Sequence, residues 1–468
     1  MENKYDIAVI GSGPGGYVAA IRAAQLGKRV ALIEKHKTLG GTCTNVGCIP
    51  TKALLDSSEH YHLAQTDFAV HGIETDNLRL DFNQFIQRKD DVVTQNGAGL
   101  NFLMKKNKIT VHSGTASFID AHHLLIKGAE NTDVIVEAAH IIIATGSKPA
   151  TLPGVTIDKK RIITSTEALS LTEQPKSMLI IGGGVIGVEF ATIFARLKTK
   201  VTIIEYADSL LPTMDRELGK ALQKSFGKLD IKLELNKRVQ SVQNSGNEVK
   251  VVFENEGSEQ QELNADYCLV AIGRRAYTDQ LNPGAAGVEV LQNGKIKVDG
   301  KLQTSVPNIY AIGDVINGPM LAHKAEEDGK YVAELICGEQ SHLDYKLIPG
   351  VVYTWPEVAS IGQTEEELKA KNTLYTIGKF PFSASGRARA SRDLDGFAKV
   401  LIDPKYGEVL GVHVIGARAA DIISQATIAI KNEITVKELN DMIYPHPTFS
   451  EVLKEAYLIG SGKPSINI

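Results

Sequence analysis

Two stretches of the chain repeat one pattern of apolar and glycine positions. In each, an apolar run enters a glycine-rich turn, and a helix-like stretch and a second apolar strand follow. The second strand ends in an acid, which lies 18 residues after the third glycine of the turn in both copies. Strand, turn, helix and strand in this order predict a βαβ unit. The two units span residues 7–34 and 178–205.

A third apolar strand closes each copy, at 141–146 in the first and at 268–273 in the second. The first copy is longer before its closing strand. Residues 110–140 account for the difference, and their scattered glycine and β-branched residues are typical of inserted strands. The strand at 309–312 resumes the first unit after the second has ended. We therefore predict an α/β fold with two Rossmann-like dinucleotide-binding domains, one inserted in the other.

The pattern changes from about residue 349. Alternating apolar and polar positions at 398–402 and 409–415 predict an antiparallel sheet. Helical patterns follow at 419–432 and 449–458. This part of the chain is predicted to form a separate α+β domain.

The three glycines of each turn have different predicted tasks. The first permits the tight turn, the second lets the backbone approach a pyrophosphate, and the third lets the helix pack closely on the strand. The helix N-terminus offers N–H groups to the phosphates, and the acid accepts a hydrogen bond from a ribose hydroxyl. One copy alone could be an ordinary glycine-rich turn, but two with equal spacing favour nucleotide binding. The predicted residues are Gly11, Gly13, Gly16 and Glu34 in the first copy and Gly182, Gly184, Gly187 and Glu205 in the second.

The acid of the second copy indicates which nucleotide binds there. A carboxylate at Glu205 would accept the 2′-hydroxyl of NAD and repel the 2′-phosphate of NADP. No arginine follows at once, since the next residues are Tyr206, Ala207 and Asp208. Two sites need two ligands, and the natural pair is a flavin dinucleotide and a nicotinamide dinucleotide, FAD and NAD.

Composition excludes several classes of function. The 468 residues, 43% hydrophobic and 23% charged, are ordinary for a globular protein of roughly two to four domains. A net charge of −4 without a dense Lys/Arg tract argues against binding to nucleic acid. No run of 18 apolar residues predicts a membrane span, and the N-terminus enters its first strand without room for a signal peptide. We therefore expect a cytoplasmic protein.

Four cysteines in a long chain of this kind do not make a disulfide scaffold. Cys43 and Cys48 lie close together directly after the first unit, so any disulfide they form is more plausibly catalytic than structural. Zinc usually takes four ligands, and no second Cys or His pair stands nearby, so no metal site is predicted. An inert pair is the other alternative. Cys268 and Cys337 are expected to be small buried hydrophobic residues.

Three segments carry a resemblance to a known family. Residues 40–52, which hold both cysteines, resemble the active-site segment of the pyridine nucleotide–disulfide oxidoreductases. Residues 304–314 resemble the second flavin motif of that family, and residues 444–451 resemble its C-terminal catalytic segment. The resemblance extends over essentially the whole chain. It implies that FAD lies between the nicotinamide and the cysteine pair, and that the active protein is a homodimer.

The resemblance also implies a role for individual residues. Cys48 would face the flavin and Cys43 would exchange with substrate, and only as thiolates can they attack a disulfide. Lys52 near the flavin would pair with Glu189, although each could be an ordinary charge on a helix surface. Asp314 would hold the ribitol of FAD. Further cofactor contacts are expected at Lys52, Gly114, Thr145, Gly146 and Ala322 for FAD and at Gly273 for NAD.

His446 would be the acid and base that takes a proton from the incoming dithiol, with Glu451 orienting its ring. Two other interpretations stay open from spacing alone. A loop histidine is often only solvated, and Thr448 with Glu451 also fits a helix capping box. By resemblance, His446 and Glu451 reach the active site of the partner subunit, which would make the dimer obligatory.

The resemblance divides the chain into four domains. We expect an FAD-binding domain at 1–150, an NAD-binding domain at 151–276, a central domain completing the FAD site at 277–348 and an interface (dimerisation) domain at 349–468.

Within the family, the chain is most similar to the dihydrolipoamide dehydrogenases. That similarity implies oxidation of protein-bound dihydrolipoamide with reduction of NAD. The partner would be a lipoyl-bearing acyltransferase of a 2-oxo acid dehydrogenase complex or the lipoyl protein of glycine cleavage. Thr51, Tyr444 and Trp355 depart from the group's usual residues, and the last two could alter the substrate channel. An NADP-linked reductase of another disulfide or of mercury, and a non-catalytic flavoprotein subunit, are the alternatives.

Overall fold

The computed structural model describes residues 3–128, 133–255 and 259–467. The strands, in chain order, are β1 (Lys4–Ile10), β2 (Val30–Glu34), β3 (Thr110–Ser113), β4 (Thr115–Phe118), β5 (His123–Lys127), β6 (Val134–Ile143), β7 (Ser147–Pro149), β8 (Ile162–Ile163), β9 (Ser177–Ile181), β10 (Lys200–Ile204), β11 (Lys232–Glu234), β12 (Arg238–Asn244), β13 (Val249–Glu254), β14 (Gln261–Ala265), β15 (Tyr267–Val270), β16 (Arg274–Ala276), β17 (Ile309–Ala311), β18 (Gly350–Val352), β19 (Glu357–Gly362), β20 (Thr376–Pro381), β21 (Phe397–Ile402) and β22 (Val409–Gly416).

The α-helices are α1 (Pro14–Gln25), α2 (Gly41–Val46), α3 (Cys48–Thr66), α4 (Phe82–Lys106), α5 (Ser165–Ala168), α6 (Val185–Arg196), α7 (Arg216–Lys228), α8 (Ala322–Ile336), α9 (Glu365–Ala370), α10 (Gly386–Ser391), α11 (Ala419–Lys431), α12 (Val436–Asp441) and α13 (Glu451–Gly460). Short 3-10 helices include Phe68–His71, Pro283–Ala286, Gly313–Val315, Tyr345–Leu347 and Phe382–Ala384. No helix in the described ranges is both long and apolar enough to cross a membrane.

The first sheet confirms that one nucleotide-binding unit is inserted in the other. Strands β3, β2, β1 and β6 run parallel, and β17 joins β6 on the far side of the inserted segment. The chain leaves through β7 and returns through β16, and these two strands pair antiparallel. The inserted unit has its own parallel sheet in the order β11-β10-β9-β15-β8. Its strands are apolar because both faces are covered, one by helices that include α6 and the other by the antiparallel sheet β12-β13-β14.

The prediction for residues 110–140 is corrected in part. Residues 110–113 form β3, which pairs parallel with β2 and belongs to the nucleotide-binding sheet itself. The antiparallel addition consists of β4, β5 and the first half of β6. The glycine between β3 and β4, Gly114, allows the chain to change direction because its φ of 155° is open to glycine and unfavourable for other residues.

The C-terminal part forms the predicted antiparallel sheet, in the order β18-β19-β22-β21-β20. Helices α11 and α13 pack on it around a core that includes Val400, Val412 and Tyr457. The helical pattern expected at 449–458 starts two residues later, because Thr448 and Ser450 belong to the turn that precedes α13. The four domain boundaries given above stay a prediction.

A buried lysine joins the inserted unit to the C-terminal sheet. Lys399 on β21 is fully buried, and its Nζ lies 3.0 Å from Asp215, 2.9 Å from Glu217 and 2.5 Å from Glu365. Asp215 caps the N-terminus of α7, and Glu365 lies in the first turn of α9. The three carboxylates raise the pKa of Lys399 against the opposing effect of burial, so the ammonium stays charged.

We expect Lys399→Met to destabilise the protein by about 3–5 kcal/mol, because the substitution leaves the fully buried carboxylate of Asp215 without its lysine. Urea unfolding followed by circular dichroism measures the effect. Lys228→Met is the matched control, since Lys228 pairs with Asp395 at an exposed position and its loss should cost less than about 1 kcal/mol. Equal losses in the two variants would contradict a role for burial.

Candidate functional site

One cavity of about 1880 Å³ extends from the first glycine turn, past the cysteine pair, to the second glycine turn. It is lined at the cysteine pair by Lys52 and Glu189 and at its far end by Glu205. Of the other residues predicted from the sequence, those that line it are Gly11, Gly13, Gly16, Glu34, Cys43, Cys48, Gly114, Thr145, Gly146, Gly182, Gly184, Gly273, Asp314 and Ala322. Gly187, His446 and Glu451 are not among its lining residues.

The third glycine of each turn is required for packing of the helix on its strand, and Gly16 lines the cavity as well. A Cβ atom on Gly16 would lie 1.9 Å from the carbonyl oxygen of Gly11, and one on Gly187 would lie 2.0 Å from that of Gly182. Any side chain there would push the helix away from its strand. At the second glycine, Gly13 in the first copy, a Cβ would meet only open space, and this glycine is the N-cap of α1.

The two acids lie where the sequence predicts and also hold their own glycine turns. Glu34 accepts hydrogen bonds from the N–H and the hydroxyl of Ser12, at 3.0 and 2.6 Å, and from the N–H of His36 at 2.9 Å. Glu205 accepts the N–H of Gly183 and, at 2.7 Å, the N–H of Ala207. These bonds fix each carboxylate at the end of its strand, facing the cavity.

The two cysteines lie on either side of a break between two helices. Cys43 lies in α2, and Cys48 is the first residue of α3, where it faces the cavity. Both are free thiols close enough to hydrogen-bond. The hydrogen bond from Cys43, together with the charge of Lys52, lowers the pKa of Cys48 to about 7 against the effect of burial. The same hydrogen bond, with burial, raises the pKa of Cys43. The pair can therefore hold one thiolate, on Cys48.

Lys52 and Glu189 are not ordinary surface charges. Lys52 Nζ lies 2.9 Å from both carboxylate oxygens of Glu189, although the two residues are 137 positions apart. The side chain of Glu189 is 5% exposed and that of Lys52 is 30% exposed. Glu189 also accepts the backbone N–H of Tyr353 at 3.0 Å, and this third partner was missed in the sequence.

Asp314 belongs to a polar group that sequence reasoning missed. It accepts a hydrogen bond from the hydroxyl of Ser147, which in turn accepts Nε of Arg274 at 2.7 Å. The guanidinium of Arg274 also reaches the Ser147 carbonyl at 2.8 Å and the Thr42 hydroxyl at 3.3 Å. The sequence feature that could have indicated Arg274 as a site residue is its position directly after Gly273, the glycine that ends the closing strand of the second unit.

Thr145 provides a test of whether a cofactor fits here. Its hydroxyl oxygen is buried, and within the described residues it has no hydrogen-bond partner, yet the residue lines the cavity. A buried hydroxyl usually has a partner, so this one is suited to a polar group of a bound ligand. The residues present therefore fit a dinucleotide next to the first glycine turn.

His446 and Glu451 contact each other, away from the cavity. His446 Nδ1 lies 2.9 Å from Glu451 Oε1, and the His446 side chain is 78% exposed. Glu451 Oε2 accepts the N–H of Thr448, but the Thr448 hydroxyl donates to Pro445 and does not cap α13. The capping box is thus only half formed, and Glu451 both orients the imidazole and holds the turn.

The other two cysteines differ from each other. Cys268 is fully buried in β15, as expected, and burial raises its pKa. Cys337 is only partly buried, so the expectation of a buried hydrophobic residue is wrong there. It lies at the C-terminal end of α8, where the chain turns toward solvent.

The sequence matches a family profile along most of its length. Residues 5–329 match the pyridine nucleotide-disulphide oxidoreductases, and residues 348–457 match the dimerisation domain of the same family. The chain belongs to this family. The domains of this family bind a flavin and a nicotinamide dinucleotide, and its dihydrolipoyl dehydrogenases use FAD and NAD, which confirms the two expected cofactors. The dimerisation domain indicates a homodimer.

Individual relatives within this family cover nearly the whole chain. Dihydrolipoyl dehydrogenase 1, mitochondrial, from Arabidopsis thaliana is 46% identical over 99% of this chain and 91% of its own. Dihydrolipoyl dehydrogenase 3 from Pseudomonas putida is 44% identical over 97% of each. The HOCl-induced flavoprotein disulfide reductase RclA from Escherichia coli has a similar structure, with a TM-score of 0.87, 30% identity and coverage of 97% and 99%. Since the relatives include mitochondrial and bacterial proteins, the cytoplasmic location stays a prediction.

The geometry of the pair predicts a difference in reactivity between its two thiols. In the reduced protein, we expect iodoacetamide to modify Cys48 with a rate that is half-maximal near pH 7, because only the thiolate reacts and its pKa is about 7. Cys43 should react far more slowly over the same range. Mass spectrometry of the modified peptides measures both rates, and half-maximal reaction of Cys48 near pH 9 would contradict the assignment.

Proposed function

We propose that this protein oxidises dihydrolipoamide to lipoamide and reduces NAD⁺ to NADH, with release of one proton. The observation that carries the proposal is the placement of a cysteine pair and a lysine in one cavity between two dinucleotide-binding turns. The relatives called dihydrolipoyl dehydrogenase support the choice of substrate, since they match over nearly the whole chain. The partner would be a lipoyl-bearing acyltransferase of a 2-oxo acid dehydrogenase complex or the lipoyl protein of glycine cleavage.

Each cofactor is assigned to one end of the cavity. Residues 1–150 and 277–348 would hold FAD, with Gly13 at the pyrophosphate, Glu34 at a ribose and Asp314 at the ribitol. Residues 151–276 would hold NAD, with Glu205 at the adenosine ribose. The bound flavin supplies an acceptor for an electron pair from the dithiol and a donor of hydride to NAD⁺. Residues 349–468 would form the dimer interface.

The thiol chemistry follows from the unequal pKa values of the pair. In the oxidised enzyme, a substrate thiolate attacks Cys43, the Cys43–Cys48 bond breaks and Cys48 leaves as a thiolate. The second substrate thiol, deprotonated, then attacks the substrate sulfur bonded to Cys43, which releases lipoamide and the Cys43 thiolate. The substrate loses two electrons and two protons, and the cysteine pair gains both electrons. Cys48 is the better leaving group because the charge of Lys52 stabilises its thiolate.

His446 would accept the protons of the two substrate thiols one at a time and release the first before it takes the second, with Glu451 stabilising the imidazolium. In its own chain, this pair lies away from the cavity lining and His446 is largely exposed. Both observations fit an imidazole that enters the cavity of the partner subunit, so that each site needs two chains.

A mixed dimer tests this sharing of the site. Cys43→Ser and His446→Gln dimers should each turn over dihydrolipoamide at least about 100-fold more slowly than the unmodified protein. Dimers re-formed from equal amounts of both should recover about a quarter of the original activity, because half are mixed and each mixed dimer has one intact site. Mixtures that stay as inactive as the parents, despite exchange of subunits shown by native mass spectrometry, would contradict a shared site.

Substitution of Cys48 distinguishes its role in catalysis from any role in cofactor binding. We expect Cys48→Ser to abolish lipoamide reduction by NADH while the visible spectrum of bound flavin remains. Cys337→Ser is the control, since that thiol lies outside the cavity, and it should keep full activity. Surviving activity in Cys48→Ser would contradict the role given to the cysteine pair. Faster turnover with NADPH than with NADH would favour the NADP-linked reductase.

A further inference from the structure

Tyr353 completes the surroundings of Lys52. Its ring centroid lies 4.4 Å from Lys52 Nζ, within the range in which an aromatic face attracts a cation. Its backbone N–H donates at 3.0 Å to Glu189, the carboxylate that binds the same ammonium. One residue thus holds both members of the ion pair, and the ring lies in the wall of the cavity.

The backbone around Tyr353 fixes the position of the ring. Strand β18 ends at Val352, which is fully buried and paired with Val358 of β19. Thr354 is 1% exposed, and its hydroxyl donates to the Pro356 carbonyl at 2.8 Å. The ring is therefore carried by the C-terminal sheet, whereas Lys52 and Glu189 come from the two nucleotide-binding units.

We propose that Tyr353 is a positioning residue that keeps the Lys52 ammonium beside Cys48, so that the interface domain sets the reactivity of the redox thiol. Lys52 has a long flexible side chain that is 30% exposed, and Glu189 alone restrains it from one direction. The ring excludes water from a second direction and attracts the ammonium through its negative face. Without the ring, the ammonium can move into water, where its interaction with Cys48 weakens.

The chemistry of the ring, rather than its hydroxyl, carries this role. No hydrogen bond of the Tyr353 hydroxyl occurs among the described residues. Phenylalanine keeps the aromatic face and should replace tyrosine, whereas leucine keeps bulk but offers no negative face. A ring-fluorinated phenylalanine keeps the shape and loses the negative face, so it separates electrostatics from packing.

The experiment measures the pH dependence of Cys48 alkylation in reduced protein that also carries Cys43→Ser, with and without bound flavin. Tyr353→Leu and the fluorinated ring should raise the pKa of Cys48 by about half a unit or more, and Tyr353→Phe should leave it unchanged. Thermal unfolding of each variant shows whether packing is retained. If Tyr353→Leu does not fold, the fluorinated variant decides alone.

The inference rests on the role given to Lys52 in the proposed function. The variant Lys52→Met distinguishes a wrong role for Tyr353 from a wrong role for Lys52. Lys52→Met should raise the pKa of Cys48 by about one unit or more. If Lys52→Met raises this pKa, but Tyr353→Leu and the fluorinated ring leave the pKa of Cys48 unchanged or lower it, only the role of Tyr353 is wrong. If Lys52→Met itself leaves the pKa unchanged, the assignment of Lys52 in the proposed function is wrong as well.

Discussion

The ion pair between Lys52 and Glu189 is the contact on which the organisation of this site depends. It joins α3, which begins with Cys48, to α6, which begins at the second glycine turn. The same two helices therefore carry the redox thiol and one nucleotide-binding turn. Because the pair is largely withdrawn from solvent, its charges interact more strongly than a surface pair would and influence the thiol beside them.

The inserted topology explains how two nucleotide-binding turns come to face one cavity. The chain leaves the first unit through β7 and returns through β16, so a single pair of short strands connects the two units. Ser147 and Arg274 lie on these strands and bind each other. Through Ser147 they also reach Asp314, so the crossing point is part of the cavity wall as well as a connection.

Buried polar contacts also link the third part of the chain to the other two. Lys399 ties the C-terminal sheet to α7 of the inserted unit, and Tyr353 ties it to Glu189 of α6. Both contacts involve groups that are costly to bury alone and acceptable when paired. Lys399 thus fixes the C-terminal sheet on the inserted unit, and the Tyr353 contact fixes it at the wall of the cavity that holds the cysteine pair, where thiol chemistry needs fixed distances.

The sequence by itself determined the two glycine turns, their acids, the insertion and the cysteine pair. These features depend on local spacing, because turn geometry and helix starts are set by residues that are neighbours in the chain. The resemblance predicted that Lys52 pairs with Glu189, but only the tertiary structure decided that this pair is largely withdrawn from water. It also decided that Arg274 and Ser147 support Asp314 and that Tyr353 covers Lys52. In a sequence, a charge on a helix looks the same whether it faces water or a partner more than a hundred residues away, since its environment is created only when distant segments pack.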